Sequence, residues 1–262
     1  MSTDLFIIAA GKGSRMGGNI PKALVPIADG QPCLTTTLQQ IGHKFRNVFV
    51  VTNEIIQDQW LEYFTELSRF PRLAQNVFNV PISSGLGDGH AVMRGLEAVG
   101  FANPSNDVVI MWGDVFVQHA EIADELLSFN IRKYSGIIPA VRESHPYVSL
   151  LVDSEMNCIS ADFSKYGENH LTGFHDQSIF RFNSNELLKA LRALHSCFWK
   201  GGRYITPGGE LSMLYAFHYL YNQDDAAIVY ETIYPTLSFN TPSEVRSIQK
   251  EINQKWKIKN QS

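Results

Sequence analysis

Cysteine is scarce in this chain. Cys33, Cys158 and Cys197 are odd in number, widely spaced and without a Cys-x-x-Cys pair. Neither a disulfide framework nor a cysteine-built zinc site is implied, and three reduced thiols are expected. A surplus of positive charge is absent too: 22 Lys and Arg against 26 Asp and Glu give a net charge of -4, which argues against a nucleic-acid partner. No stretch approaches the ~20 apolar residues of a membrane span. Met1-Ser2-Thr3-Asp4 lacks a basic leader region, so a cytoplasmic protein is expected. Internal repeats and low-complexity segments are also missing. What remains is an ordinary balance, 44% hydrophobic and 18% charged over 262 residues, enough for one large α/β domain with a substantial core.

Along the chain, short apolar runs alternate with helical patterns. Leu5 to Ala10 carries no charge, as expected of a buried parallel strand. Further strands are expected at 48–52, 78–80 and 108–112. Helices are expected over 55–67, where Trp60, Phe64 and Leu67 recur at near-helical spacing, and over 91–99. This alternation predicts a Rossmann-like, doubly wound, mostly parallel sheet whose ligands lie beyond the strands' carboxyl ends. From Gly136 the pattern becomes strand-rich, at 137–141, 147–152 and 178–182, with helices near 185–195 and 211–222. A last helix is expected from Ser243 as N-cap, with Val245, Ile248, Ile252 and Trp256 on one face.

The first strand breaks into Gly11-Lys12-Gly13-Ser14-Arg15-Met16-Gly17-Gly18-Asn19-Ile20-Pro21-Lys22. Small residues from Ala9 to Ser14 let the backbone approach a ligand and offer N–H groups to an anion. Arg15 and Lys22 add a planar guanidinium and a compact ammonium, complementary ways of holding a triphosphate. The spacing fits neither a P-loop nor a dinucleotide fingerprint, and no kinase-like Val-Ala-Ile-Lys or His-Arg-Asp follows.

The string Ala-Ala-Gly-x-Gly-x-Arg-Met-Gly-x-x-x-Pro-Lys, over Ala9 to Lys22, resembles the signature of the sugar-phosphate nucleotidyltransferase family, specifically its small pyrimidine-using members. The resemblance implies that Ala9, Ala10, Gly11 and Gly13 line the nucleotide, and that Arg15 holds the triphosphate. Lys22, stiffened by Pro21, would bind the α-phosphate and the incoming acceptor phosphate. Met111-Trp112-Gly113-Asp114 resembles the family's strand-Gly-Asp element, which makes Asp114 a magnesium ligand. Asn240-Thr241-Pro242-Ser243-Glu244 resembles its late Asp/Asn-Thr-Pro-Glu element, which makes Asn240 the second ligand. Magnesium is commonly held by one or two protein oxygens plus phosphate oxygens and water.

Leu86-Gly87-Asp88-Gly89-His90-Ala91 resembles the nucleobase loop of uridylyltransferases, with Asp88 in place of a threonine; Gly87, Asp88 and Gly89 are the implied nucleotide contacts, and His90 a support of the loop. A carboxylate accepts from the cytosine N4 amino group, repels uracil O4, and could instead face uracil N3–H. CTP or UTP is therefore expected, with a slight lean to CTP. On the acceptor side, Gly208-Gly209-Glu210-Leu211 resembles the family's Gly-Glu-Leu segment and implicates Glu210; as plain sequence it also reads as a helix start with an acidic first turn. Lys165 stands roughly where the family has a second lysine, without the Glu-Lys-Pro context. Gly173 matches an Asn-x-Gly segment without its asparagine.

The expected organisation is one domain over 1–262: a nucleotide-binding half (1–135), an acceptor-binding half (136–242) and a C-terminal helix (243–262). The expected reaction is magnesium-dependent transfer of a nucleoside monophosphate to a small phosphorylated acceptor, releasing pyrophosphate. A sugar 1-phosphate is the default acceptor. The alternatives are a capsule-pathway cytidylyltransferase using a phosphorylated amino-acid-like acceptor such as phosphoglutamine, and a catalytically silent nucleotide-sensing subunit. Oligomeric state stays open.

Overall fold

The computed structural model describes residues 3–11, 13, 16–17, 20–83, 86–100 and 107–259, with side chains through 252. Four strands, β1 (Asp4–Ile8), β2 (Val48–Asn53), β3 (Val77–Ile82) and β4 (Asp107–Trp112), run parallel in the order β3-β2-β1-β4. β1 is buried along its whole length because side chains alternate between two covered faces. Leu5 and Ile7 join one hydrophobic cluster, Phe6 and Ile8 another.

The helices are α1 (Cys33–Ile41), α2 (Gln57–Leu67), α3 (Pro71–Ala74), α4 (Asp88–Val99), α5 (Glu121–Ser128), α6 (Ser184–Phe198), α7 (Tyr215–Tyr221) and α8 (Pro242–Lys259). α1, α2 and α5 pack on the Leu5 face, and α4, α6 and α7 on the Phe6 face. The doubly wound α/β class is as expected. On α2 the buried face is Trp60, Tyr63 and Leu67, with Phe64 only partly buried against it.

The second half extends the same sheet through β5 (Gly136–Ser144), β6 (Val148–Val152), β7 (Cys158–Phe163), β8 (Thr172–Asp176), β9 (Ile179–Asn183) and β10 (Ala227–Glu231). β9 lies antiparallel to β4, and both β8 and β9 run antiparallel to β5. Between them Ser178 takes φ 55°, and the Trp112 amide bonds its carbonyl at 3.1 Å. β8 therefore runs on past the carboxyl end of β4, carrying β6 and β7 with it. β7, β8 and β10 are additions to the expected strands. β7 (Cys-Ile-Ser-Ala-Asp-Phe) buries only its two ends fully, and β8 (Thr-Gly-Phe-His-Asp) contains one large apolar residue, so neither carries a clean period of two.

Two helix starts differ from expectation. Leu211 and Met213 bond to residues 86–89 at the start of α4 instead of opening a helix, and α7 begins at Tyr215. Glu210 accordingly sits in a loop and not in a helical first turn. For α8 the N-cap is Thr241 and not Ser243: Glu244 Oε2 accepts from the Thr241 amide at 2.8 Å while Thr241 Oγ1 accepts from the Glu244 amide at 3.4 Å. This is a capping box with proline at the first helical position. Val245, Ile248 and Ile252 then bury against Val25, Ile27, Phe116 and Phe239; the Trp256 side chain lies outside the described residues.

Candidate active site

The carboxyl edge of β1 and β4 gathers three of the expected residues. Lys22 opens a short 3-10 turn after Pro21. Asp114 follows Gly113, whose amide bonds the Ile8 carbonyl at 2.9 Å. A Cβ on Gly113 would stand 3.0 Å from Ala9 and 3.2 Å from Ala23, so glycine lets the two strand ends and the lysine turn meet. Asn240 comes from far along the chain. Leu237–Ser238 pairs antiparallel with Val115–Phe116, and the Phe239 amide reaches the Asp114 carbonyl at 3.3 Å, so Asn240 arrives beside Asp114. Lys22 Nζ donates to Asp114 Oδ2 at 2.8 Å and to Asn240 Oδ1 at 2.7 Å.

The ammonium thus marks a point on which a carboxylate and a carboxamide oxygen converge. The Lys22 and Asp114 side chains are each 22% exposed, open enough for a ligand to reach. Two hard oxygens aimed at one cationic centre are a donor set suited to Mg2+, which completes its shell with phosphate oxygens and water. Among the described residues no group of three or more His, Cys, Asp or Glu is arranged to hold a metal.

The first glycine loop is anchored at its start. Ala9 donates its amide to the Val51 carbonyl at 2.8 Å. Asn53, at the end of β2, donates Nδ2 to the Ala10 carbonyl at 3.2 Å and caps Ile55 with its oxygen. Asn53 was not singled out from the sequence, where an Asn after Val-Val-Thr reads as a strand terminus. A Cβ at Gly11 would meet nothing within 4 Å among the described residues. Gly13 takes φ 61° and lies against the Ile20 carbonyl. Arg15 lies outside the described residues.

The second glycine loop is built differently. Leu211 donates its amide to Leu86 O, and Gly89 donates its own to Leu211 O, both at 2.9 Å. Gly87 has φ 105°, and a Cβ there would stand 2.3 Å from the Leu211 carbonyl oxygen; at Gly89 one would stand 2.6 Å from the Met213 nitrogen. Both glycines are demanded by the chain's own backbone. The buried Asp88 carboxylate turns the same way, its Oδ1 accepting from the Met213 amide at 2.5 Å and from Ser212 Oγ at 3.2 Å. The geometry therefore gives the lean to cytosine no support: Asp88 is engaged by residues 212 and 213, and burial pushes its carboxyl up to about 6.

Lys165 and Glu210 lie close enough to that turn for their charges to act on Asp88. Lys165 follows β7, its Nζ 5.3 Å and 4.8 Å from the ring centres of Phe163 and Tyr166, and its charge acts on Asp88. Tyr166 covers Gly208, where a Cβ would stand 2.1 Å from the phenol oxygen. The Glu210 loop is closed by Thr206 Oγ1 on the Glu210 carbonyl at 2.6 Å. Gly173, on β8, lies against Ser149, where a Cβ would collide with Oγ at 2.3 Å. Close packing between strands accounts for that glycine. Ser212 and Tyr166 carried no signal in the sequence, since their contacts join segments tens of residues apart.

A family model described as MobA-like NTP transferase domain matches residues 5–198. The bifunctional protein GlmU of Thermotoga maritima is 25% identical over 213 residues, 77% of this chain and 42% of that protein. GlmU of Pseudomonas putida strain GB-1 is 28% identical over 162 residues, 62% of this chain and 32% of that protein. The chain spans less than half the length of these curated relatives. Among solved structures, a UDP-glucose pyrophosphorylase complexed with UDP-glucose superposes with a TM-score of 0.72 at 12% identity, covering 97% of this chain and 100% of that one. A nucleoside-diphosphate-sugar pyrophosphorylase from Vibrio cholerae RC9 gives 0.70 at 13% identity, covering 94% and 99%.

Proposed function

This chain belongs to the MobA-like NTP transferase domain family, and from that premise we propose that it transfers a nucleoside monophosphate from a nucleoside triphosphate to the phosphate of a small acceptor. The observation that carries the reading is the convergence of Lys22, Asp114 and Asn240, drawn from three distant segments onto one point at the strands' carboxyl edge. In the reaction an anionic phosphate oxygen of the acceptor attacks the α-phosphorus. A new P–O bond forms, the bond to the β-phosphate breaks, and pyrophosphate leaves with the electron pair. The nucleophile is already charged near neutral pH, so no general base is required.

Lys22 has three N–H donors, two of which point at Asp114 and Asn240. A cation held by those two oxygens would release these donors to the charge on the α-phosphate. Asp114 and Asn240 would hold the magnesium ion, which when bound neutralises the triphosphate and polarises its phosphoryl oxygens. Arg15 is assigned to the triphosphate on the resemblance of its loop alone. The strands and the Ala10 carbonyl, fixed by Asn53, hold these groups in place, so that catalysis rests on preorganised charge.

CTP and UTP are the proposed donors, on the resemblance of the 86–91 loop. A sugar 1-phosphate is the proposed acceptor; fold neighbours named as sugar pyrophosphorylases support it. The departures of the Lys165 and Gly173 segments from the family's acceptor motifs keep a phosphorylated amino-acid-like acceptor as the alternative. Pyrophosphate release measured with four triphosphates against sugar 1-phosphates and phosphorylated amino-acid derivatives tests this. Release with a pyrimidine triphosphate and a sugar 1-phosphate is the expected result. Nucleotide binding without release from any pair would establish the silent-subunit reading instead.

A further inference from the structure

We propose that Asp88 is a positioning residue, a latch that ties the nucleotide-side turn 86–89 to the acceptor-side segment 210–213 so that the two substrate pockets keep one fixed spacing. The proposal rests on the nucleotidyl-transfer reading for what the two segments bind, and on the local geometry for the latch itself.

Three observations carry it. First, the segments share a two-way backbone ladder, Leu211 N–H to Leu86 O and Gly89 N–H to Leu211 O. Second, the glycines at 87 and 89 leave no gap between the two backbones, so small motions of one are transmitted to the other. Third, the Asp88 side chain does not cap its own helix. Gly87 holds the N-cap position without a side-chain bond, while the carboxylate accepts from Met213 N–H and Ser212 O–H across the interface. Ser212 Oγ in turn accepts from the Leu214 amide at 3.4 Å, which extends the latch to the residue before α7.

The charges facing Asp88 are Lys165, on the turn after β7, and Glu210, on the latched segment; the Tyr215 hydroxyl of α7 also feels it. A carboxylate bonded to a backbone amide makes a stronger hydrogen bond than its neutral form. Burial outweighs that gain: the latched carboxyl holds its proton more tightly than a solvated one, so the latch is tightest when Asp88 is protonated and loosens as pH rises through its titration near 6. One consequence is specific to a positioning role. Loosening the latch should raise KM for the acceptor more than it lowers kcat at saturation, because the phosphate-binding cluster at Lys22 is separate from it.

The test uses the full chain with Asp88→Ala, Asp88→Asn and Ser212→Ala. Amide hydrogen exchange at 211–214 and steady-state kinetics with the best acceptor are measured from pH 5 to 8. In Asp88→Ala, Met213 exchange should rise about tenfold or more and acceptor KM by a similar factor, as loss of one charge-assisted hydrogen bond implies. Asp88→Asn, which keeps an acceptor oxygen, should restore much of both. The ratio of wild-type to Asp88→Asn acceptor KM should rise as pH passes above 6, a comparison in which titration of the acceptor's own phosphate cancels. Unchanged Met213 protection in Asp88→Ala would overturn the latch. Lost protection with unchanged acceptor KM would overturn the positioning role while leaving nucleotidyl transfer standing. If wild type transfers to no acceptor, the functional reading fails and the exchange arm still decides the latch. Should Asp88→Ala not fold, Ser212→Ala reads the same exchange at the same amides.

Discussion

Replacing Asp88 by asparagine should stabilise the fold at neutral pH. Burial raises the Asp88 carboxyl from 3.8 in the unfolded chain to about 6 in the folded one, so the folded state holds this proton more tightly. Below pH 3.8 both states are protonated and the residue contributes no difference. As pH rises from 3.8 to 6 the unfolded chain ionises first and folding stability is lost; above 6 the loss is complete. A shift of about two units corresponds to about 3 kcal/mol. Asparagine never ionises, and its oxygen can accept from the Met213 amide while its NH2 faces Ser212 Oγ, so the variant escapes the loss and keeps the contact. Urea unfolding of both proteins at pH 4.5, 5.5, 6.5 and 7.5 reads the difference directly. The stability advantage of Asp88→Asn should grow with pH and level off above about 6.5. A pH-independent difference would refute the raised carboxyl and the desolvation argument behind it. A gain in stability accompanied by a weaker grip on acceptor would be the familiar opposition of stability and activity at a working site.

Three further outcomes follow from the geometry. Lys22→Ala should fold normally by circular dichroism yet release pyrophosphate about a hundredfold or more slowly, the usual effect of deleting one preorganised charge contact; full activity would remove Lys22 from the mechanism. Asn240→Asp adds a second carboxylate beside Asp114 and should tighten Mn2+ binding several-fold by electron paramagnetic resonance, since cation affinity rises with ligand charge; unchanged affinity would exclude Asn240 as a ligand. Gly87→Ala forces a side chain onto φ 105° and against the Leu211 carbonyl, with an expected loss of about 3 kcal/mol or more. Gly100→Ala, at φ 75° with nothing within 4 Å among the described residues, should lose only about 1–2 kcal/mol; equal losses in thermal unfolding would show that backbone conformation alone sets both.

The meeting of Lys22, Asp114 and Asn240 was readable in the sequence because each member is fixed by its immediate neighbours. Lys22 follows Pro21, Asp114 follows a glycine at the end of an apolar strand, and Asn240 precedes a threonine-proline helix start. Parallel strands bring such ends to one edge by topology, so finding the strands was nearly enough to find the site. The C-terminal helix face was legible for the same reason, as Val245, Ile248 and Ile252 recur with the helix period and are buried. The N-cap was not, because Thr241 and Ser243 are both good caps locally. The choice fell to Thr241, whose hydroxyl accepts from the Glu244 amide.

The turn at 86–89 shows where local reading ends. A glycine needed for a ligand and a glycine needed for another stretch of backbone look identical in one dimension, and only the approach of Leu211 to Met213 tells them apart. The same holds for Gly173 against Ser149 and Gly208 against Tyr166. By itself the sequence determined the class of fold and which residues meet at the strands' carboxyl edge, since these depend on period, charge and covalent neighbours. The tertiary structure alone decided which way Asp88 turned and that α7 began at Tyr215 and not at Leu211. Those outcomes depend on which backbone hydrogen bonds two distant segments can satisfy in each other once both are buried.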